Sequence, residues 1–427
     1  MKATASHCFK PVAIALALWA TAQPTLAQAQ DTATATLPMP FGECALGQWT
    51  SNRNLDDRTN ITTAGCVVSW KPKLSNDLRL GLNVRAGWQD QGAADGASGR
   101  VREAYVDFDA EPFSMRLGRQ IIAWGRADRI NPTDSLSPRD FTLLVPDDEQ
   151  QRNGIDALRL RYAVSPALSV TAVAAKSEAN VTPNGLLPPN LSLGESPRDT
   201  EWALKLDHSG SGIDWSVSYF DGLSRALRYR LDFANPRAPV FRGDVERVQK
   251  LGADFAIAQG AWTLRGEVAH SRLGPDTGPT CTACPSDARR VTSAVLGGDV
   301  DFAETMNFNV QVFANVKEDF ADPAGLTGVR EALALGLNRL NTDYAARETG
   351  VTLRLSDRLL NDKLRWEISA VLDLNGNSYA IRPRLSYAVN DHLRLTAGLD
   401  HFEGPSQSYF GALQKNSTAF AMVSWVF

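Results

Sequence analysis

The sequence predicts a transmembrane antiparallel β-barrel of about 18 strands, with about 16 as the alternative, and three observations carry that reading. Apolar and polar residues alternate with a period of two along segment after segment. Very short turns alternate with longer polar loops. The chain closes on the stretch Asn416 to Phe427, in which Ala419, Ala421, Val423, Trp425 and Phe427 share one face of an extended strand. Left unpaired, such a strand would offer an open edge that invites aggregation; pairing with the first strand removes the edge.

At the other end, Met1, Lys2 and Lys10 make a positive start, Val12 to Ala22 is apolar or small, and Ala27-Gln28-Ala29 follows Pro24. That pattern predicts a cleaved signal peptide over residues 1–29. No later stretch approaches the roughly 20 consecutive apolar residues that a membrane helix needs. Residues 30–40 are polar and are expected to be disordered in the periplasm. Residues 41–427 contain no Ser/Gly/Pro linker or charge block and read as one barrel. Loss of Lys2 and Lys10 with the signal takes the formal charge from -4 to -6, which argues against nucleic acid as a partner.

The terminal strand resembles that of Gram-negative outer-membrane proteins, whose final Phe belongs to their assembly signal. The resemblance implies an outer-membrane location, contact with membrane lipid and lipopolysaccharide, and recognition of Phe427 by the barrel-assembly machinery.

Along the chain, Leu78, Leu80, Leu82, Val84, Ala86 and Trp88 oppose Arg79, Asn83 and Arg85. The same two-faced pattern returns at Trp202 to Asp207, Lys250 to Ile257, Asn307 to Val316, Lys363 to Asp373 and Leu393 to Asp400. A soluble sandwich would turn the apolar face inward. The terminal strand, the signal peptide and the lack of helices favour the inverse, with apolar side chains on lipid and polar ones on a wet lumen.

Short turns fall near Asn76-Asp77, Glu111-Pro112, Ser165-Pro166, Ser209 to Gly212, Gln259-Gly260, Thr305-Met306, Asn361-Asp362 and Asn390-Asp391. These are assigned to the periplasmic rim. The intervening loops, such as Asn180 to Asp199 and Asp322 to Asp343, are assigned to the outside. The count of 18 requires Phe41 to Ser51 to be a true first strand; otherwise it falls to about 16. Between Ser114 and Trp124 the alternation places Arg119 among lipid-facing residues, which a bulge or a snorkelling side chain would resolve. Val329 to Leu340 has near-helical spacing, and the sequence leaves open whether it forms a helix.

Four cysteines outlast the signal. Cys44 and Cys66 are equidistant from the polar stretch Leu55 to Arg58, as cross-strand partners in one hairpin would be. Cys281 and Cys284 could form a redox centre or half a metal site; the Pro, Gly, Thr and Asp around them, with no His nearby, favour a small loop disulfide.

The longest loop, Arg126 to Gly154, is the third external one in the 18-strand count. Arg126, Arg129, Arg139 and Arg152 share it with Asp128, Asp134, Asp140, Asp147, Asp148 and Glu149. Such a mixed-charge set suits either a pore constriction or a loop tied by internal salt bridges. Porins resemble one another in folding this loop into the lumen. Just upstream, Gly118-Arg119-Gln120 and Trp124-Gly125, followed by Asn131-Pro132-Thr133-Asp134, resemble a Gly-Arg-Gln, Trp-Gly, Asn-Pro-x-Asp series in a group of Gram-negative outer-membrane proteins catalogued as a domain of unknown function. That resemblance implies a barrel that serves small molecules, and no ligand.

The lumen-facing arginines on this register include Arg79, Arg85, Arg116, Arg159, Arg161, Arg265, Arg354, Arg365, Arg382, Arg384 and Arg394. Arg382 and Arg384 beside Arg394 hint at a basic ladder, as in anion-passing porins; cross-strand pairing with lumenal acids is the commoner use of such charges. An enzyme is not expected. No His lies near a Cys, and His208-Ser209 and His270-Ser271 put neighbours on opposite faces of a strand. No cofactor and no metal site is implied. The function expected is a channel for small hydrophilic or amphiphilic solutes, with a polymer or small-molecule export barrel or a barrel-embedded hydrolase as alternatives. Monomer and trimer remain equally open.

Overall fold

The computed structural model describes residues 37–51, 59–90, 96–181, 191–193, 199–210, 212–232, 240–274, 289–318, 320 and 322–427. The expected signal segment, and Cys281 with Cys284, lie outside the described residues. Of residues 30–40 only 37–40 are described, and they have no regular structure.

The alternating segments form the strands β1 (Phe41–Ser51), β2 (Asn60–Trp70), β3 (Leu78–Gln89), β4 (Gly96–Ala110), β5 (Phe113–Gln120) and β6 (Ile155–Ala163). They continue as β7 (Leu168–Lys176), β8 (Thr200–His208), β9 (Ile213–Leu223), β10 (Arg247–Gln259), β11 (Trp262–Leu273) and β12 (Arg290–Phe302). The last six are β13 (Met306–Lys317), β14 (Arg347–Leu359), β15 (Leu364–Asp373), β16 (Ser378–Ala388), β17 (Leu393–Glu403) and β18 (Thr418–Val426). Each pairs antiparallel with its neighbours in sequence, and β1 pairs with β18 from Glu43↔Val426 to Ser51↔Thr418, closing an 18-stranded barrel. Phe41 to Ser51 is thus a true first strand.

The eight expected turns fall at the links between strands on one rim, residue 211 lying outside the described residues; Gln259 and Met306, placed in turns by the sequence, instead end β10 and open β13. The links on the other rim are mostly longer; the exceptions are residues 374–377 between β15 and β16 and residues 90–95 between β3 and β4, which are fewer than residues 71–77 on the short-turn rim. A small sheet of Leu191–Leu193, Arg228–Asp232 and Val240–Asp244 stands apart from the barrel, and Val329–Leu340 is an α-helix, α1.

The side chains are arranged as a soluble core turned inside out. Leu251 is 57% exposed, Leu296 60% and Val312 54% on the outer face, whereas the inward Glu201, Gln311 and Thr352 are at most 1% exposed. Lipid supplies the missing apolar contact for the first set. The buried polar groups of the second need partners, which explains the dense hydrogen bonding in the lumen.

Two local irregularities follow from the same accounting. Arg119 sits at the end of β5 with no break in register, and donates to Val101 O at 2.9 Å and to Glu178 at 2.7 Å. Its outward-facing charge therefore snorkels to the rim. The bulge lies instead in β4, where Asn83↔Glu103 is followed by Val84↔Val101. The extra residue, Arg102, consequently turns inward and donates to Asn83 and to Arg152 O.

Cys44 and Cys66 are directly opposite in the β1–β2 register and form a disulfide, with Cα atoms 4.0 Å apart. The bond staples the hairpin that closes the barrel against β18. Replacing both cysteines by serine is expected to cost about 3 kcal/mol through the freed denatured chain. The readout is a lower temperature for loss of the folded band in semi-native electrophoresis.

Candidate functional site

Residues 121–154 connect β5 to β6, yet they reach far around the ring. Arg129 donates to Glu367 on β15 at 2.9 Å, and Asp128 pairs with Arg354 on β14 at 3.2 Å. In an 18-strand ring β14 lies nine places from β5, which is the opposite wall. The loop therefore crosses the lumen.

Its near side is held by apolar packing. Ile122, Trp124 and Leu136 form one buried cluster with Ile155, Ala157, Val173, Ala175, Ala203, Phe220 and Val248 on β6 to β10. The motif residues quoted above make this possible. Gln120, fully buried, donates to Arg116 O, Gly118 O and Ala157 O and fastens the loop's root. Gly118 has φ +120°, and a Cβ there would lie 2.4 Å from Ala104 O. Gly125 has φ +99°, and its Cβ would strike the Glu267 carboxylate at 2.5 Å. Only glycine meets both demands at these positions.

Glu267, on β11, is the anchor. It accepts from Ala127 N at 2.6 Å, from Thr133 Oγ1 at 3.0 Å and from Arg126 N. Around it Arg126 pairs with Asp254 and Asp207, and Lys250 donates to Pro132 O at 3.0 Å. Asp134, the last motif residue, pairs with Arg152 at 2.6 Å. The far side of the loop is equally tied: Arg139 and Arg152 both bind Glu149, Arg85 pairs with Asp140 at 3.7 Å, and Arg382 on β16 grips Asp148 at 2.6 and 3.0 Å. The loop charges thus pair with one another and with the wall. Asp147 caps the short 3-10 turn Asp148–Gln151 by accepting from Glu149 N.

These pairs set the acid response of the loop. The Arg152 hydrogen bond, ahead of opposing burial and with Arg139, holds the Glu149 carboxyl down at about 2. Burial pushes Asp148 up, but the bond and charge of Arg382 outweigh it and leave Asp148 below its usual value. A carboxyl lowered by folding contributes above its unfolded pKa and loses that contribution as pH falls through the folded one. Loop contacts at Glu149 should hold above about pH 4.5 and weaken toward about pH 2. Channel noise recorded as the bath is acidified should be flat down to the upper limit and rise below it.

Between the loop and the wall from β12 to β18 runs a cavity of about 1750 Å³. Tyr344, Gln407 and Tyr409 line it at the long-loop rim, and Thr305, Arg358 and Glu43 line it at the short-turn rim. Near the long-loop end Val371, Ala380 and Phe402 form an apolar strip side by side in register, with Phe313 nearby, and Asn315, Glu348 and Asp373 line the cavity beside it. Tyr344, Tyr409, Phe410 and Phe402 continue this surface as a chain of rings with centroids 6.3, 5.0 and 6.2 Å apart. Burial, with Tyr409 beside it, pushes the Tyr344 phenol up to about 12, so the surface carries no phenolate at neutral pH.

Farther down stand arginines. Arg382 is spent on Asp148 and Asp400, and Arg384 reaches Asp400 only at 3.9 Å. Arg365 and Arg394, also lining the cavity, make no hydrogen bond or ion pair with any described residue. The ladder hinted at by Arg382, Arg384 and Arg394 is therefore paired at its upper end and free at its lower end. Arg79, Arg85, Arg116, Arg159 and Arg161 also face the lumen, but they lie on β3 to β6, outside this cavity.

Sequence reasoning overlooked Arg102 and Arg225. The bulge shifted the phase at Arg102. Arg225 lies in a loop, where no periodicity applies, and donates to Glu201, Ser135 O and Glu178 O. The alternation placed Arg365 on the lumen face, where it lines the cavity; only the pairing partners distinguish it from the other lumenal arginines.

A family model described as a protein of unknown function, DUF1302, matches residues 47–190, which include the loop and its motif. No curated protein matches the chain by sequence. Among solved structures, Acinetobacter baumannii OccAB1 is 11% identical with a TM-score of 0.56, covering 93% of this chain and 99% of that one. A. baumannii OccAB3 is 11% identical at a TM-score of 0.53, covering 91% and 99%. Pseudomonas aeruginosa OccK5 (OpdH) is 12% identical at 0.52, covering 91% and 97%. At these identities the likeness shows the fold: the chain is a closed, porin-like β-barrel of the outer-membrane type.

Proposed function

We propose that the protein is an outer-membrane channel through which small organic anions with an apolar body pass, entering beside the aromatic chain and leaving past Arg365 and Arg394. Residues 1–29 act as the export signal, 41–427 form the barrel, and the loop 126–154 is the constriction. The observation that carries the reading is the cavity that touches both rims, lined at one end by rings and farther down by Arg365 and Arg394, which have no carboxylate partner among the described residues. Apolar surface favours the body of such a solute, and unpaired guanidinium groups favour its acid group.

The test is the reversal potential of the folded protein in a planar bilayer under a potassium chloride gradient. Chloride preference is expected, and Arg365→Gln with Arg394→Gln should lower the chloride-to-potassium permeability ratio severalfold while conductance persists. A barrel that is silent, or selective for potassium, would overturn the reading.

A further inference from the structure

A second group of arginines sits on the opposite wall and is used by nothing described so far. Arg79 on β3, Arg116 on β5, and Arg159 and Arg161 on β6 all face the lumen near the short-turn rim. Arg116 is directly opposite Arg159 in the strand register, a like-charge pair that destabilises a sheet when nothing neutralises it. None of the four lines the cavity between loop and wall.

The group is built rather than scattered. Asp107 is opposite both Arg79 and Arg116, and it binds Arg116 through two bonds of 3.0 Å. The Arg116 guanidinium also lies 4.1 Å from the centre of the Tyr105 ring. That ring rests on Gly81, where a Cβ would come within 2.2 Å of it. Arg116 is thereby fixed in orientation by a carboxylate and an aromatic face. Arg79, Arg159 and Arg161 have no hydrogen bond or salt bridge to a described residue, and Arg79 and Arg161 are exposed. Glu103, Asp107 and Asp109 are the lumenal acids of β4 beside this group, and Glu103 acts on Arg116 as Asp107 does. Four guanidinium groups against these three carboxylates leave one positive charge uncompensated.

We infer that this wall binds a small oxyanion, a phosphate or a dicarboxylate, reached from the short-turn side. Arg159 and Arg161 contact the ligand, while Arg116, held by Asp107 and Tyr105, sets the position of the binding plane. The site is independent of the channel reading, because it needs only the lumenal placement of these side chains.

Titration calorimetry of inorganic phosphate into the full-length barrel, folded in detergent at neutral pH and low salt, tests this. Three proteins are compared: the parent, Arg159→Gln with Arg161→Gln, and Arg365→Gln with Arg394→Gln. The parent is expected to bind one phosphate that chloride at the same concentration does not displace. The first pair of substitutions should weaken binding by more than about tenfold and the second should leave it unchanged. Succinate run in parallel separates a dicarboxylate site from a phosphate site. If the double variant does not fold, Arg161→Gln alone, at an exposed position, takes its place. Absence of binding to the parent overturns the inference, as does a loss that follows Arg365 and Arg394 instead. Conductance of the same preparations is read separately, so a conducting barrel without phosphate binding sinks this inference alone.

Discussion

Arg225→Ala is expected to cost the protein about 3–5 kcal/mol, the usual price of leaving a buried charge without its partner. Glu201 on β8 is fully buried, and Arg225 grips both of its carboxylate oxygens, at 3.0 and 2.6 Å. The same guanidinium donates to Ser135 O in the lumen loop at 2.8 Å and to Glu178 O at 2.9 Å. One side chain thus ties three external segments to the wall. Its removal should lower the temperature at which the folded band disappears, and it should make single-channel current noisier, because the loop loses a tether at Ser135. Substitution of Glu201 by Gln in the Arg225→Ala background removes the stranded charge and should recover part of the stability. A variant with unchanged melting and quiet current would show that the Arg225 pair is dispensable.

Glu267→Ala should release the loop without touching the loop's own sequence. Four groups, Arg126 N, Ala127 N, Thr133 N and Thr133 Oγ1, lose their common acceptor. Each buried donor left unsatisfied costs about 1–3 kcal/mol, so the lumenal position of residues 126–133 loses several kcal/mol of support. The barrel wall itself keeps its strand pairing. The expected signature is therefore a rise in conductance and in current noise with little change in melting, whereas Arg225→Ala moves both. Equal conductance in parent and Glu267→Ala would show that the apolar cluster around Trp124 and Leu136 holds the loop alone.

The barrel was legible in the sequence because a strand's faces depend only on alternate residues. Leu204 and Leu206 point one way and Lys205 and Asp207 the other whatever the rest of the chain does. The turns were legible for a related reason: pairs such as Asn361-Asp362 and Asn390-Asp391 bend the chain locally. The loop was legible by its length and charge, and Cys44 with Cys66 by symmetry about one hairpin.

Its partners were not. Arg129 meets Glu367 and Arg382 meets Asp148 across more than two hundred positions of sequence, and no periodicity spans such a gap. The alternation counted Arg382, Arg384 and Arg394 alike, although only the fold pairs the first with Asp148 and Asp400 and leaves the last without a partner among the described residues. It also missed Arg102, because a single extra residue in β4 inverts the phase for one position.

The sequence by itself therefore determined the strands, their two faces, the closing pair of ends and the presence of a charged loop, all of which follow from neighbours within a few residues. Tertiary structure alone decided that the loop crosses the lumen, that Glu267 anchors it, and which arginines remain unpaired. The reason is that an ion pair depends on distance in space, and closing the ring brings together groups that the chain keeps far apart.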